Sequence, residues 1–416
     1  MAMRALPLPA ISAGLLAAFV GFTSSFSVVL GGLIGVGATQ VEAASGLMAL
    51  SIAMGLCAIL LSLRHRMPIS VAWSTPGAAL LAGAAAPQGG FPTAVGAFLL
   101  AALLVILAGT LRPLGRLIAA IPGSIANAML AGIIFSLCLA PVKAIASEPL
   151  PGLAIAATWM LVGRVRRLLA VPAAALVAIA AILATKGGGI DPASLLPRPV
   201  LIAPSFDWQS AIGIALPLFL VTMASQNIPG LTVLKVNGYQ PPAGPLFTAT
   251  GLFSLLAVPF GGHAVNLAAI TAAICAGEEA GPDPDRRWWA GVVSGVAYVI
   301  FGLGAGAVTA FASLSPLLIE AAAGLALIGA LTASLQAAMA SADERNAAAV
   351  TFLTTASGIA FLGISAPFWG LLAGAAMLAL VRFGAPAIGS AQPAATPVVR
   401  APETGPIERR PLPGSL

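Results

Sequence analysis

The polar residues best placed to hold a charged ligand stand inside long apolar stretches. Thr75-Pro76-Gly77 interrupts one such stretch after the β-prone segment 69–74, and Asn266 interrupts another after Gly261-Gly262-His263. Thr and Asn are good helix N-caps, and Pro is favoured at the first helical position. We therefore expect an extended segment and then a half-helix in each stretch, with Thr75 and Asn266 as the caps.

The chemistry that such helix ends offer is anion binding. Each N-terminus presents unpaired backbone N–H groups and roughly half an elementary positive charge. Unpaired backbone at membrane depth is tolerated only where it lines a cavity or contacts a ligand. Two half-helices whose N-termini point at each other would suit a carboxylate. The alternative interpretation is a pair of kinked helices that bind no ligand.

A second polar pair lies in the middle of the chain. Gln226 and Asn227 precede Pro229-Gly230, where we expect the helix to break. Amides at this depth either hold helices together or line a site, because an unbonded amide is costly there. Three residues at the corresponding place of the first apolar stretch are predicted to complete the pocket: Ser24, Ser25 and Phe26. The alternative for the two serines is a hydrogen bond to a carbonyl of their own helix.

Three further side chains admit both a structural and a functional interpretation. His263 is either a packed core residue or the group that pairs with a carboxylate or carries a proton. Trp73 could stack on an aromatic ring or belong to an interfacial belt. Glu320 could relay protons, although a carboxylate near a helix start is favourable in any case.

Composition decides the environment of these residues. The chain has 416 residues, of which 59% are hydrophobic and 8% charged, too few charged groups to cover a water-soluble surface. The three cysteines lie in apolar stretches, so neither a disulfide nor a metal site is expected. The basic residues occur singly or in small groups, which disfavours a nucleic-acid partner. No cofactor motif and no catalytic cluster is present, so neither an enzyme nor an ATP-driven pump is expected.

Fourteen stretches are apolar enough to be membrane spans. In chain order the predicted spans are 10–34, 43–63, 69–86, 92–111, 122–142, 150–163, 168–185, 208–228, 243–259, 260–277, 288–308, 317–340, 346–363 and 366–384. Spans 3 and 10 carry the two predicted half-helices. The fold class is therefore an all-α polytopic membrane protein with discontinuous spans 3 and 10.

Basic residues set the orientation. With a cytoplasmic N-terminus, the outside segments carry only Lys143, Lys186 and Arg198, and the other sixteen of the 19 Lys and Arg residues are inside. Both termini are thus predicted to be cytoplasmic. Seven spans on each side of the loop 187–206 require any repeat to be inverted. Residues 68–85 align without a gap on 259–276, and 116–132 resemble 317–333.

Three motifs carry a resemblance to a known family. PISVAWSTPGAALL (68–81), SQNIPGLTVLKVNGYQPP (225–242) and GGHAVNLAAITAAICAG (261–277) resemble the bacterial benzoate/proton symporters. The resemblance covers the chain to about residue 384. It implies a 7+7 inverted-repeat fold shared with nucleobase and sulfate transporters, with the ligand between spans 3 and 10 and an elevator-like motion.

The resemblance also implies a division into domains. The core domain would comprise 9–112 (spans 1–4) and 207–309 (spans 8–11), and the gate domain 113–186 (spans 5–7) and 310–385 (spans 12–14). Residues 187–206 would be the inter-repeat loop, and 386–416 a disordered cytoplasmic tail. A homodimer through the gate domain is possible on this fold.

A comparison with the nucleobase branch favours an acidic substrate. Two glutamates of that branch align with Gln226 and His263, so two groups that would repel a carboxylate are replaced. We therefore expect uptake of benzoate or a related aromatic carboxylate with a proton across the inner membrane. The predicted substrate-binding residues are Ser24, Ser25, Phe26, Trp73, Ser74, Thr75, Gln226, Asn227, Gly262, His263 and Asn266, and the proton-coupling candidates are His263 and Glu320. The alternatives are another organic-anion or nucleobase/proton symporter, or an uncoupled anion channel.

Overall fold

Helices make up most of the fold. The computed structural model describes residues 7–111, 113, 122–186, 195–359, 361–362 and 364–384. The predicted tail, 386–416, and the first part of the predicted inter-repeat loop, 187–194, lie outside the described residues. Described residues up to Leu378 form one compact unit, and the second unit, residues 379–416, is described only as far as Gly384, where it is helical.

The described elements follow one another in this order: α1 Leu8–Thr23, α2 Phe26–Gly35, α3 Gln40–His65, β1 Val71–Trp73, α4 Thr75–Ala82, α5 Phe91–Thr110, α6 Gly123–Cys138, α7 Ala140–Ser147, α8 Pro149–Val165, α9 Ala170–Lys186, α10 Trp208–Val236, α11 Ala243–Ala257, β2 Val265–Leu267, α12 Ile270–Ala276, α13 Trp288–Leu303, α14 Ala305–Leu314, α15 Pro316–Ala338, α16 Arg345–Ala356 and α17 Ala366–Gly384.

Seven described helices are long and apolar enough to cross a membrane, with α1 and α2 counted together and α6 and α7 counted together. An eighth is added if α13 and α14 form one bent span, and α8, α9 and α17 are shorter apolar helices. The polytopic helical fold is thereby confirmed, whereas the count of fourteen stays a prediction. Within predicted span 11, 288–308, the chain bends by 58° at Gly304, between α13 and α14. Predicted span 13 was too long, since α16 ends at Ala356.

The two strands pair with each other and join spans 3 and 10. They run antiparallel, with Val71 opposite Leu267, Ala72 opposite Asn266 and Trp73 opposite Val265. Two more backbone bonds extend this ladder, one at each end: Ser74 N to Ala264 O at 3.0 Å, and Ala268 N to Ser70 O at 2.9 Å. Because α4 follows β1 and α12 follows β2, the half-helices start at opposite ends of the ladder. The predicted strand-plus-half-helix form of both spans is confirmed.

The cap of the first half-helix is Ser74, so the predicted Thr75 cap was wrong by one residue. Ser74 Oγ accepts a hydrogen bond from Gly77 N at 3.1 Å, and Thr75 is already helical. Pro76 has no N–H, so the donor that the side-chain cap satisfies in this turn is the Gly77 N–H. An N-cap side chain reaches the N–H three residues on, which makes Ser74 the residue at the required distance.

Asn266 caps no helix, because it is the central residue of β2 and α12 begins four residues later, at Ile270. Ser254 of α11 fixes the strand in this position by accepting from Val265 N at 2.8 Å. The gap-free alignment of 68–85 with 259–276 was also wrong. It pairs Val71 with Gly262, whereas the strand equivalent to β1 starts at Val265, three residues later.

The predicted helix break at Pro229 is replaced by a wider turn. Helix α10 continues to Val236 through a π-helical turn at Met223–Asn227, in which Ile228 N bonds to Met223 O. A π-turn shifts the hydrogen-bond pattern by one residue and so accommodates a residue that lacks an N–H without ending the helix. Gln226 and Asn227 therefore lie within a span rather than at its end.

Close helix packing depends on small residues, as in other membrane proteins. A Cβ atom at Gly55 of α3 would lie 2.5 Å from the Gly295 carbonyl oxygen of α13, and the reverse distance is also 2.5 Å. Helices α5 and α11 meet in the same way at Gly251. Packing joins α1–α5 with α10–α13, and joins α6, α8 and α9 with α15 and α16.

Candidate functional site

The helical hydrogen bonding of span 1 is interrupted at Ser24-Ser25, between α1 and α2, beside the ladder. Both serine hydroxyls donate to the Gly21 carbonyl, at 3.3 Å from Ser24 and 2.9 Å from Ser25. Ser25 Oγ also accepts from the Trp73 indole N–H at 2.9 Å. The break in span 1 is thus attached to β1 by a side-chain bond.

Helix α10 is attached to both strands. Thr222 donates to Ser74 Oγ at 2.8 Å, at the point where β1 passes into α4. Asn227 Oδ1 accepts from Leu267 N of β2 at 2.9 Å, and its Nδ2 lies 3.2 Å from Met223 Sδ. Asn227 therefore holds β2 in place, since its amide oxygen is already used within the protein.

Solvent exposure divides the residues around the ladder into two sets. The first set is partly exposed: Ser24, Ala72, Thr75, Gln226 and Ala269. The second set is buried: Ser25, Phe26, Trp73, Ser74, Asn227, Gly262, His263 and Asn266. Each residue of the first set except Ala269 is the direct chain neighbour of a buried residue of the second set. We call the partly exposed set the accessible surface.

A group of aromatic rings supports the span 1 side of this surface. The Phe22 ring lies 5.8 Å from the Phe26 ring, 5.4 Å from the Trp73 ring and 5.1 Å from the Phe301 ring, measured between centroids. Trp73 is only 2% exposed. Sequence reasoning missed Phe22. Its spacing of four residues from Phe26 would have placed both rings on one face of the predicted continuous helix.

His263 and Asn266 have polar atoms without partners among the described residues. Neither His263 ring nitrogen has a hydrogen bond, nor does Asn266 Oδ1, and both side chains are fully buried. The His263 ring meets the Phe98 ring edge-on, 6.2 Å between centroids. Buried polar atoms without partners are rare, and each calls for an explanation such as a bound molecule.

The ladder separates the two half-helix starts. Ser74 and Ala268 lie at its two ends, about 13 Å apart at roughly 3.3 Å per residue, so one carboxylate cannot contact both starts. Continuing the register past Ser74 and Ala264 places Thr75 and His263 at the same end. Thr75 and His263 thus lie at the same end of the ladder, whereas Asn266 lies at its centre.

Two predicted residues have other surroundings. Gly262 packs against α11, where a Cβ atom on it would lie 2.7 Å from the Ala257 Cβ. Glu320 is exposed on α15, close enough to Lys143 for electrostatic interaction. It is not bonded to the ladder. Thr222, missed in the sequence, lies one turn before Gln226 in α10, and that spacing is the signal that could have found it.

Interrupted spans around a central pair of short strands, with accessible polar residues at the interruptions, define a membrane transporter fold. Solved structures support this class. The chain superposes on the murine Slc26a9 anion transporter in its inward-facing state with a TM-score of 0.63, at 15% identity, over 92% of this chain and 69% of that one. It superposes on the transmembrane domain of the cyanobacterial bicarbonate transporter BicA with a TM-score of 0.56, at 16% identity, over 84% and 97%. These neighbours have the inverted-repeat fold.

The family follows from the sequence. Residues 4–380 match the family described as benzoate membrane transport protein. The chain is 40% identical to inner membrane protein YdcO of Escherichia coli over 379 residues, which cover 90% of this chain and 96% of that protein. It is 37% identical to the benzoate membrane transport protein of Acinetobacter baylyi over 334 residues, 79% and 84% of the two chains. The chain belongs to the benzoate membrane transport protein family, and the resemblance seen in its motifs is confirmed.

Proposed function

We propose that this membrane transporter imports benzoate or a closely related aromatic carboxylate together with a proton, through a site between spans 3 and 10. The observation that carries the proposal is the set of accessible residues where the hydrogen bonding of spans 1, 3, 8 and 10 is interrupted around one ladder. Its relative from Acinetobacter is named for benzoate transport, which agrees with a site for a small aromatic acid.

The carboxylate binds at the start of α4 in this proposal. In the first turn of α4, Pro76 has no N–H, and the Gly77 N–H is bonded to Ser74 Oγ. Thr75 therefore offers the free backbone donor, together with its partly exposed hydroxyl. The helix dipole favours a negative charge at this end. His263 lies beside it by the ladder register, and Gln226 supplies a further donor from α10.

The aromatic ring of the substrate packs towards the Phe22, Phe26 and Trp73 group. Trp73 is fixed by Ser25 and is almost fully buried, so it acts as a rigid wall rather than a mobile contact. Ser24 lies at the accessible edge of that wall. Rings held in this way favour flat aromatic ligands over aliphatic ones of the same charge.

His263 carries the coupled proton in this proposal. Its ring nitrogens are buried and have no partner among the described residues, so one of them is free to accept a proton when the acid binds. An intramembrane histidine is a functional candidate for that reason. Glu320 is less suitable, because it is exposed beside Lys143 and is not bonded to the ladder.

The motion is proposed to be an elevator of two helix groups. Helices of predicted spans 1–4 and 8–11 pack mainly on one another, and those of spans 5–7 and 12–13 do the same. This grouping supports the core and gate domains predicted from the family. The inner-membrane location, the cytoplasmic termini and a homodimer through the gate belong to the same proposal.

Uptake of labelled benzoate into proteoliposomes tests the function. We expect uptake that saturates and rises with an inward proton gradient. Gln226→Ala should raise the KM several-fold, whereas Gln336→Ala, on the exposed face of α15, should leave it unchanged. His263→Gln should retain benzoate binding but lose benzoate-driven proton entry.

Each result bears on one part of the proposal. Uptake that ignores the proton gradient would exclude symport and favour an uncoupled channel. Equal KM values for the two glutamine variants would remove Gln226 from the site. Absence of benzoate uptake, with transport of another organic anion or a nucleobase, would replace the substrate class.

A further inference from the structure

Tyr298 of α13 places a hydroxyl group at the meeting point of three elements. The side chain is 1% exposed. Its hydroxyl donates to the Ala17 carbonyl of α1 at 3.5 Å, and it also interacts with the Thr271 side chain of α12. A buried tyrosine hydroxyl normally requires such partners. Tyr298 therefore joins span 1 to the first turn of the second half-helix.

Gly21 makes this arrangement possible. A Cβ atom at Gly21 would lie 2.1 Å from the Tyr298 hydroxyl oxygen and 3.1 Å from Thr271 Cγ2. The Gly21 carbonyl is the acceptor for both Ser24 and Ser25 at the break in span 1. The Tyr298 hydroxyl thus lies against the same turn that positions the accessible Ser24 side chain.

The contact continues to the ladder. Thr271 Oγ1 and Ser70 Oγ are 2.7 Å apart, and the Ser70 carbonyl accepts from Ala268 N at the end of the ladder. Ser70, Thr271 and Tyr298 are all buried. The Ser70–Thr271 bond and the bond from Tyr298 to the Ala17 carbonyl thus lie between the end of the ladder and span 1.

We propose that Tyr298 is a positioning residue of the transport site: it holds the first turn of α12 against the break in span 1 and so fixes the positions of Ser24 and Ala269 relative to each other. Loss of the hydroxyl loosens α12 and lowers the affinity for the substrate. The affinity part rests on the proposed function, whereas the positioning part does not.

The experiment compares Tyr298→Phe with Tyr239→Phe, since these are the two tyrosines of the chain. Tyr239 bonds to the Pro284 carbonyl in a loop outside the site. Hydrogen exchange of peptides covering 268–276 is measured without ligand, and benzoate binding is measured on the same purified samples. For Tyr298→Phe we expect roughly tenfold faster exchange and roughly tenfold weaker binding, the size expected for one buried hydrogen bond. Tyr239→Phe should change neither by more than about twofold.

Thr271 supplies a second comparison that does not alter the aromatic ring. Thr271→Ser keeps the hydroxyl and should resemble the wild type, whereas Thr271→Val keeps the shape and should resemble Tyr298→Phe. Gly21→Ala displaces the tyrosine hydroxyl and should have the same effect on exchange. If Tyr298→Phe does not fold, the Thr271 pair gives the answer.

The outcomes separate the two claims. Unchanged exchange at 268–276 in Tyr298→Phe and Thr271→Val would overturn the positioning role, whether or not the wild type binds benzoate. Faster exchange with unchanged benzoate affinity would overturn the link to the substrate site. Failure of the wild type to bind benzoate would refute the proposed function, and the exchange data would still decide the positioning role.

Discussion

Replacing Ser74 by Ala should reveal how strongly α10 is coupled to the first half-helix. Ser74 Oγ accepts from Gly77 N at 3.1 Å and from Thr222 Oγ1 at 2.8 Å. Ser74 and Thr222 are both 0% exposed. Ser74→Ala therefore removes a helix cap and, at the same time, leaves a buried hydroxyl without its acceptor.

The two losses can be estimated separately. Loss of an N-cap costs about 1 kcal/mol, and an unpaired buried hydroxyl costs about 1–3 kcal/mol. Ser74→Ala should thus lower the free energy of unfolding by roughly 2–4 kcal/mol. Thr222→Val removes the donor together with the bond and should cost about 1 kcal/mol. In the double variant no hydroxyl is left unpaired, so the total should be at least about 1 kcal/mol smaller than the sum of the single effects.

Unfolding in detergent micelles, followed by tryptophan fluorescence, measures these values. Ser313→Ala is the matched control, because Ser313 is exposed and its hydroxyl donates to the Ala310 carbonyl of its own helix. That control should change the unfolding free energy by less than about 0.5 kcal/mol. Single effects of Ser74→Ala and Thr222→Val that simply add in the double variant would show that the Thr222–Ser74 bond is not an energetic link, and the reasoning would be wrong.

Three further predictions concern other bonds. His263→Phe should leave stability unchanged or raise it, since the imidazole nitrogens have no partner within the described part of the chain; a thermal shift that shows a large loss would mean that His263 is bonded. Asn227→Ala should cost about 1–3 kcal/mol in micelle unfolding, because Leu267 N loses its acceptor; a smaller cost would contradict its structural role. Burial raises the pKa of Tyr239 in the folded protein above its ordinary value. The stability that the neutral Tyr239 hydroxyl contributes is therefore present below the ordinary pKa and is lost as the pH rises through the pKa of the folded state. Tyr239→Phe should not show this loss of unfolding free energy at alkaline pH when unfolding is measured over a pH series.

Much of the fold was predictable because it follows from local properties. Apolar length against bilayer thickness gives the spans, and the β-prone segment before Thr75-Pro76 predicts a strand followed by a half-helix. The same reasoning failed where two residues had equal local preferences. Ser74 and Thr75 are both good caps, and only the pairing of Ser74 with Ala264 and Thr222 makes Ser74 the cap.

The sequence marked the polar residues near the ladder as a group but not their geometry. Gln226 and Thr75 are partly exposed, whereas Asn227, predicted to bind the substrate, supports β2. Polar residues at membrane depth require partners, but the sequence does not show whether the partner is a ligand or the backbone of another span. Solvent exposure in the folded chain makes that distinction.

The sequence by itself determined that the chain lies in lipid, that spans 3 and 10 are interrupted, and which family it belongs to, since hydropathy and motifs are properties of neighbouring residues. Only the tertiary structure decided the ladder register, the start of α12, the continuity of α10 through Pro229 and the place of Tyr298 beside Gly21. These depend on bonds between residues far apart in the chain, such as Trp73 with Ser25 or Ser70 with Thr271. Such bonds form only after the spans have packed, so no local pattern encodes them.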